Sequence, residues 1–208
     1  MDELVKALRH FLVRDIVFIL GGAEVILSFL YLFDRVPSAP PFTWALLFAG
    51  FAYILGYVAQ DTASLLGIVR TQLRVEPNRL AAKLFEVFDR ADPRVCDERG
   101  KVTLDSGESL AKIREFVRRF PDERIYASVE RNAALKQVGT TFGSTSLFSG
   151  LLLAFRAIRT GHEFDIALAG SIIGLGILLV LLGWLKVTQQ AVQVVRIYRS
   201  LKEERQDA

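Results

Sequence analysis

The chain has 208 residues, 51% of them hydrophobic and 24% charged, with a formal net charge of +3 and a mean hydropathy of +0.32. That apolar content exceeds what a soluble globule carrying this much charge ordinarily shows, so a simple soluble domain is disfavoured. The single cysteine, Cys96, excludes an internal disulfide and leaves no cysteine-based metal cluster.

Charge is nearly absent from four segments and dense elsewhere. The opening, MDELVKALRHFLVRD, is charged and amphipathic, and no small-x-small cleavage site follows a short apolar core, so no cleavable signal peptide is expected. Ile16 to Phe33 then gives 18 residues with one charge, Glu24. DRVPSAPP, with three prolines, cannot continue a helix and reads as a tight extended turn. Phe42 to Gln60 gives 19 uncharged residues, Val138 to Phe155 gives 18 and Ile166 to Leu185 gives 20. These lengths suit a hydrocarbon layer of about 30 Å crossed at about 1.5 Å per residue. The expected architecture is therefore an all-α integral membrane protein with four transmembrane helices. It divides into an amphipathic helix plus a first hairpin (1–69, spans 16–33 and 42–60), a helical insert (70–137), a second hairpin (138–185, spans 138–155 and 166–185) and a helical tail (186–208). The third span is small and polar, with Gly139, Thr140, Thr141, Gly143, Ser144, Thr145, Ser146 and Ser149. It is read as a span, the alternative being a helix shielded from lipid by the other three.

Lys and Arg number three before the first span, one in the first connection, 15 between Arg70 and Lys136, two in the last connection (Arg156 and Arg159) and five from Lys186 onward. By the positive-inside rule the start, the insert and the tail are cytoplasmic, in an inner membrane. The insert carries 15 basic and 12 acidic residues. This near-balance argues against a nucleic-acid surface, which needs uncompensated positive charge along one face. NRLAAKLFEVFDRAD, between Pro77 and Pro93, reads as a helix. A loop with a short strand at Lys101 to Leu104 follows, and Asp105 with Glu108 resembles a capping box opening ESLAKIREFVRRF.

Three helical patterns run past the apolar limit. A helix from Asp122 to Arg156 would be about 52 Å long and one from Ile166 to Glu204 about 58 Å, far more than the bilayer core, so long cytoplasmic extensions are expected. On the tail, Val187, Ala191, Val194, Tyr198 and Leu201 form a seam on one helix face. It either packs on the insert of the same chain or joins two copies. Gly139 with Gly143, Gly170 with Gly174, and Ala52 with Gly56 are small-xxx-small pairs that let helix backbones approach. Several such faces beside a cytoplasmic seam lean toward a symmetric homo-oligomer.

Glu24 lies about 12 Å into the first span. An ionised group at mid-membrane costs about 2.5–3.5 kcal/mol on insertion scales, so this carboxyl is either protonated or facing other polar groups. Equal depth on the other spans reaches Tyr53, Ser146 and Ser149. Two roles stay open: a hydrogen bond that fixes which helix faces meet, or a carboxylate lining an aqueous path. Tyr57, Gln60 and Asp61 make a polar cytoplasmic rim, with Arg14 or Lys136 in reach of Asp61, while Asp15 pairs with Arg14. Trp44, Trp184 and Tyr198 read as interface anchors.

No HExxH, paired cysteines, dinucleotide turn or Ser/His couple occurs, and the Ser-x-x-Lys of Ser109 to Lys112 lacks its companion triplets, so no enzyme, metal or cofactor is expected. Two functions follow. The first is a membrane sensor or anchoring subunit that docks a soluble cytoplasmic partner through insert and tail; accessory subunits of multi-gene bacterial systems, phage defence among them, share this outline by analogy alone. The second is a homo-oligomeric channel with Glu24 on its pathway.

Overall fold

The computed structural model describes residues 2–35, 42–69, 102–105, 108–118 and 123–206. These are all-α, with α1 (Asp2–Leu32), α2 (Phe42–Leu65), α3 (Leu110–Arg118), α4 (Glu123–Thr160) and α5 (Glu163–Gln206), and no strand among the described residues. The helix expected at 78–92, the loop after it and Cys96 lie outside the described residues, as does the turn at 36–41. Stretches at Arg14–Leu32, Arg131–Thr160 and Glu163–Glu203 are long and apolar enough to cross a membrane.

Helix ends follow from local chemistry. After α1, Asp34 adopts a left-handed φ of 56°, with Arg35 N donating to Leu30 O at 2.9 Å and Asp34 N to Tyr31 O at 3.1 Å. This is the Schellman arrangement, in a residue type that tolerates αL better than most. Between α4 and α5 the turn falls on Gly161, at φ 66°, whose N–H closes on Ala157 O at 2.8 Å. A residue with a Cβ would be strained there.

The chain forms two compact units, Met1–Arg70 with Gln137–Gly183, and Thr71–Lys136 with Trp184–Ala208. In the first, helix backbones meet through glycine. A Cβ at Gly22 would lie 1.6 Å from Ala52 O and one at Gly56 would lie 2.2 Å from Phe18 O, so only glycine permits this approach of α1 to α2. A Cβ at Gly139 would lie 2.6 Å from Gly183 N and one at Gly143 2.8 Å from Val180 N, so glycine also permits the close approach of α4 to α5. In lipid, where apolar burial gives helices no net drive to associate, such contact supplies the dispersion that holds them.

The polarity of this unit is inverted. Thr140, Thr141, Ser144, Thr145, Ser146 and Ser149 are buried, whereas Phe51, Leu151, Phe155, Ile158 and Leu178 are more than 60% exposed. Local bonds satisfy much of the buried polarity: Ser144 Oγ donates to Thr141 O at 2.8 Å, and Thr140 Oγ1 to Gln137 O at 3.2 Å. A soluble helical bundle would show the opposite arrangement.

The second unit has its own apolar core. Leu110, Ile113 and Val117, one face of α3, pack with Val102 against Ala191, Val192, Val194 and Val195 of α5, with Phe116, Val129 and Tyr198 at the margin. Phe116 and Tyr198 meet edge-on at 5.3 Å. Ser109, not Asp105, caps α3, its Oγ accepting from Lys112 N at 3.3 Å. Asp105 contributes instead a turn in which its N–H donates to Glu108 Oε2 at 3.4 Å. Of the expected strand, Lys101 lies outside the described residues and Val102 makes a single β-bridge while packing into the core, with Arg199 Nη2 donating to Thr103 O at 2.7 Å. Trp184 Nε1 is buried and has no hydrogen-bond partner among the described residues.

Candidate functional site

The most chemically distinctive feature of the first unit is the surroundings of Glu24. Its helix comes close to α4 because position 21 is glycine: a Cβ there would sit 2.9 Å from Thr145 Oγ1. Ser146 Oγ donates to Glu24 Oε2 at 3.1 Å, and Thr145 Oγ1 lies 3.3 Å from the same oxygen, its single proton shared with the backbone oxygens of Thr141 at 3.1 Å and Phe142 at 3.2 Å. Among the described residues Oε1 accepts nothing and no cation pairs with the carboxyl.

Thr145 belongs to a row. Gln137, Thr141, Thr145 and Ser149 are spaced four apart and so lie on one face of α4. At one end Gln137 Nε2 donates to Gln60 Oε1 and to Thr141 Oγ1, both at 3.0 Å, while Thr141 Oγ1 donates to Gln60 Oε1 at 2.8 Å. Ser149 is fully buried and its Oγ has no hydrogen-bond partner among the described residues. The next two positions on this face, Leu153 and Ala157, are apolar and buried.

Beyond them lies a second polar group. Arg156 Nε pairs with Asp165 Oδ2 at 3.2 Å and its Nη1 with Asp34 Oδ1 at 2.6 Å. That nitrogen also donates to Tyr31 O, and the guanidinium lies 4.0 Å from the Tyr31 ring centroid. Tyr31 OH and Thr160 Oγ1 donate to Asp165 at 2.9 and 2.7 Å, and Arg159 Nη2 to Leu32 O at 2.9 Å. This cluster ties the end of α1 to the α4–α5 turn with both Asp165 oxygens satisfied. Charge counting had used Arg156 and Arg159 only to orient the chain. Of the cluster's ion pairs, only Arg156 with Asp165, nine residues apart across one turn, joins groups near each other in sequence.

The other expected residues fall in different places. Tyr53 does not bond Glu24; its ring packs edge-on against Phe18 at 5.5 Å. Tyr57 is exposed and tilts on the same ring at 5.6 Å. Gln60 is buried in the amide–hydroxyl group while Asp61 is exposed, so the rim residues separate. Arg14 pairs with Asp15 at 3.4 Å. Gly170 and Gly174 have nothing within 4 Å of a notional Cβ, unlike Gly139 and Gly143, so the GSIIG pair makes no close contact within this chain. On the tail, Val187, Ala191, Val194 and Leu201 are buried, and Tyr198 OH donates to Glu108 Oε1 at 2.8 Å. Among the described residues no three His, Cys, Asp or Glu side chains converge to hold a metal ion.

No protein-family model, no curated protein and no solved structure matches this chain.

Proposed function

We propose that this chain is a four-span inner-membrane protein, with both termini and its second unit in the cytoplasm, that serves as a membrane sensor or anchoring subunit for a soluble protein partner. Three spans rest on the apolar stretches of α1, α4 and α5. The fourth is α2, whose 42–60 stretch is uncharged and whose Leu47, Phe51, Ile54 and Val58 side chains are exposed. The Lys and Arg distribution orients the chain.

The observation that carries the anchoring role is the separate core of the second unit, assembled from α3 and the end of α5. A bundle that only had to span lipid would need no such unit. The reading involves no catalysis: Ser109, the one candidate nucleophile by motif, serves as a helix cap. Photo-crosslinkers at Ala111 and Lys112, exposed on α3, should capture one defined soluble protein in native membranes. A crosslinker at Glu163 on the opposite side should not. Equal capture from both sides, or none from α3, would overturn the reading.

A second reading, a homo-oligomeric channel with Glu24 on its pathway, is favoured by the buried Ser/Thr row. Liposome ion flux from wild type, Glu24→Ala and Glu24→Gln tests it, and background flux from all three removes it.

A further inference from the structure

The polar row on α4 has two unlike ends. Toward residue 137 it continues through hydroxyl and amide groups on two helices, Thr141, Gln60 and Gln137, each hydrogen-bonded to the next. Toward residue 160 it stops at buried Leu153 and Ala157. Glu24 sits between, with one carboxyl oxygen bonded by Ser146 and beside Thr145, and the other free of any protein partner among the described residues.

We infer that Glu24 is a proton-binding site that exchanges with water only through the Gln60–Gln137 end of the row, with Ser149 holding the water that bridges to its second carboxyl oxygen. Ser146 donates to Oε2 and Thr145 Oγ1 lies beside the same oxygen, which leaves Oε1 to take the proton. The O–H formed there needs an acceptor. Ser149 Oγ offers one donor and two acceptor positions, all unused among the described residues in a fully buried site. It lies one helical turn from Thr145, about 6 Å along the axis. A water bonded to Ser149 Oγ on this face supplies that acceptor. The exchange balances as hydronium giving its proton to the carboxylate and leaving water.

Sidedness follows from what flanks the row. Water entering past Gln60 and Gln137 meets hydrogen-bonding groups at every turn up to Glu24. Water entering from the other end would have to displace Leu153 and pass the Arg156–Asp165 pair. The site therefore binds a proton without passing it across, a behaviour suited to sensing. It goes beyond the anchoring role and does not depend on it.

Infrared difference titration of the full chain in nanodiscs, in H2O and D2O, tests this. The expected result is a protonated-carboxyl stretch that Glu24→Gln removes while the amide bands stay unchanged. Gln137→Leu, and independently Gln60→Leu on the other helix, should slow deuteration of that band by at least about tenfold, the effect of losing one hydrogen-bonded entry step. Leu153→Ala should leave the rate unchanged, and Ser149→Ala should shift the band by removing its water. A titrating band that survives Glu24→Gln, the absence of any such band, deuteration as fast in both glutamine variants as in wild type, or acceleration by Leu153→Ala would each overturn the inference.

Discussion

Replacing Gly22 by alanine tests the packing of α1 on α2. The new methyl would be built 1.6 Å from Ala52 O and 2.8 Å from Gly56 N, whereas carbon and oxygen rest at about 3.3 Å or more. The obstacle is backbone, which cannot rotate away as a side chain would, so the helices must part. A gap approaching 1 Å already forfeits about a quarter to a half of the dispersion at each contact. Overpacking on this scale costs about 3 kcal/mol, against about 1 kcal/mol regained because alanine favours helix over glycine. The net loss is about 2 kcal/mol, roughly thirtyfold in the folding equilibrium. Unfolding of the full chain in mixed micelles by titrated SDS, followed by circular dichroism, measures it. Gly170→Ala is the internal control: nothing lies within 4 Å of its notional Cβ, so it should be neutral or gain up to about 1 kcal/mol. A Gly22→Ala protein as stable as wild type refutes the packing argument. Damage from Gly170→Ala equal to that from Gly22→Ala would instead place α5 against a second copy.

Asp165→Asn should lower the melting temperature more than Arg159→Gln, because the Asp165 side chain is 4% exposed and triply hydrogen-bonded while that of Arg159 is 47% exposed; thermal melts in detergent compare them. Ile113→Ala should destabilise the second unit by about 2–5 kcal/mol, as expected for emptying a packed core position, and limited proteolysis within α3 reports it. Lys202→Ala, which removes exposed pairs to Asp105 and Glu108, should change that proteolysis little, with any effect fading as salt is raised.

Much of the helical architecture was legible because lipid imposes a coarse rule: about twenty apolar residues per crossing. The polar third stretch reads as a span with a lipid-shielded helix as its alternative, and its Ser and Thr side chains are buried. The tail seam admitted two partners by spacing alone, and the choice of α3 depended on which face of a distant segment was apolar. At Glu24, depth counting reached Ser146 but missed Thr145 and wrongly brought in Tyr53. Depth along a helix fixes height, whereas rotation about the axis decides which neighbour is met, and the Gly21 contact sets that rotation. The Arg156 cluster was hidden because its members are spread from Tyr31 to Asp165 and only the fold brings them together.

The whole account turns on Phe51, Leu151, Phe155, Ile158 and Leu178 facing lipid. Membranes from cells making the full chain, washed with alkaline carbonate and sedimented, measure this most directly. The protein should remain in the pellet and be released only by detergent. Recovery in the carbonate supernatant would contradict it.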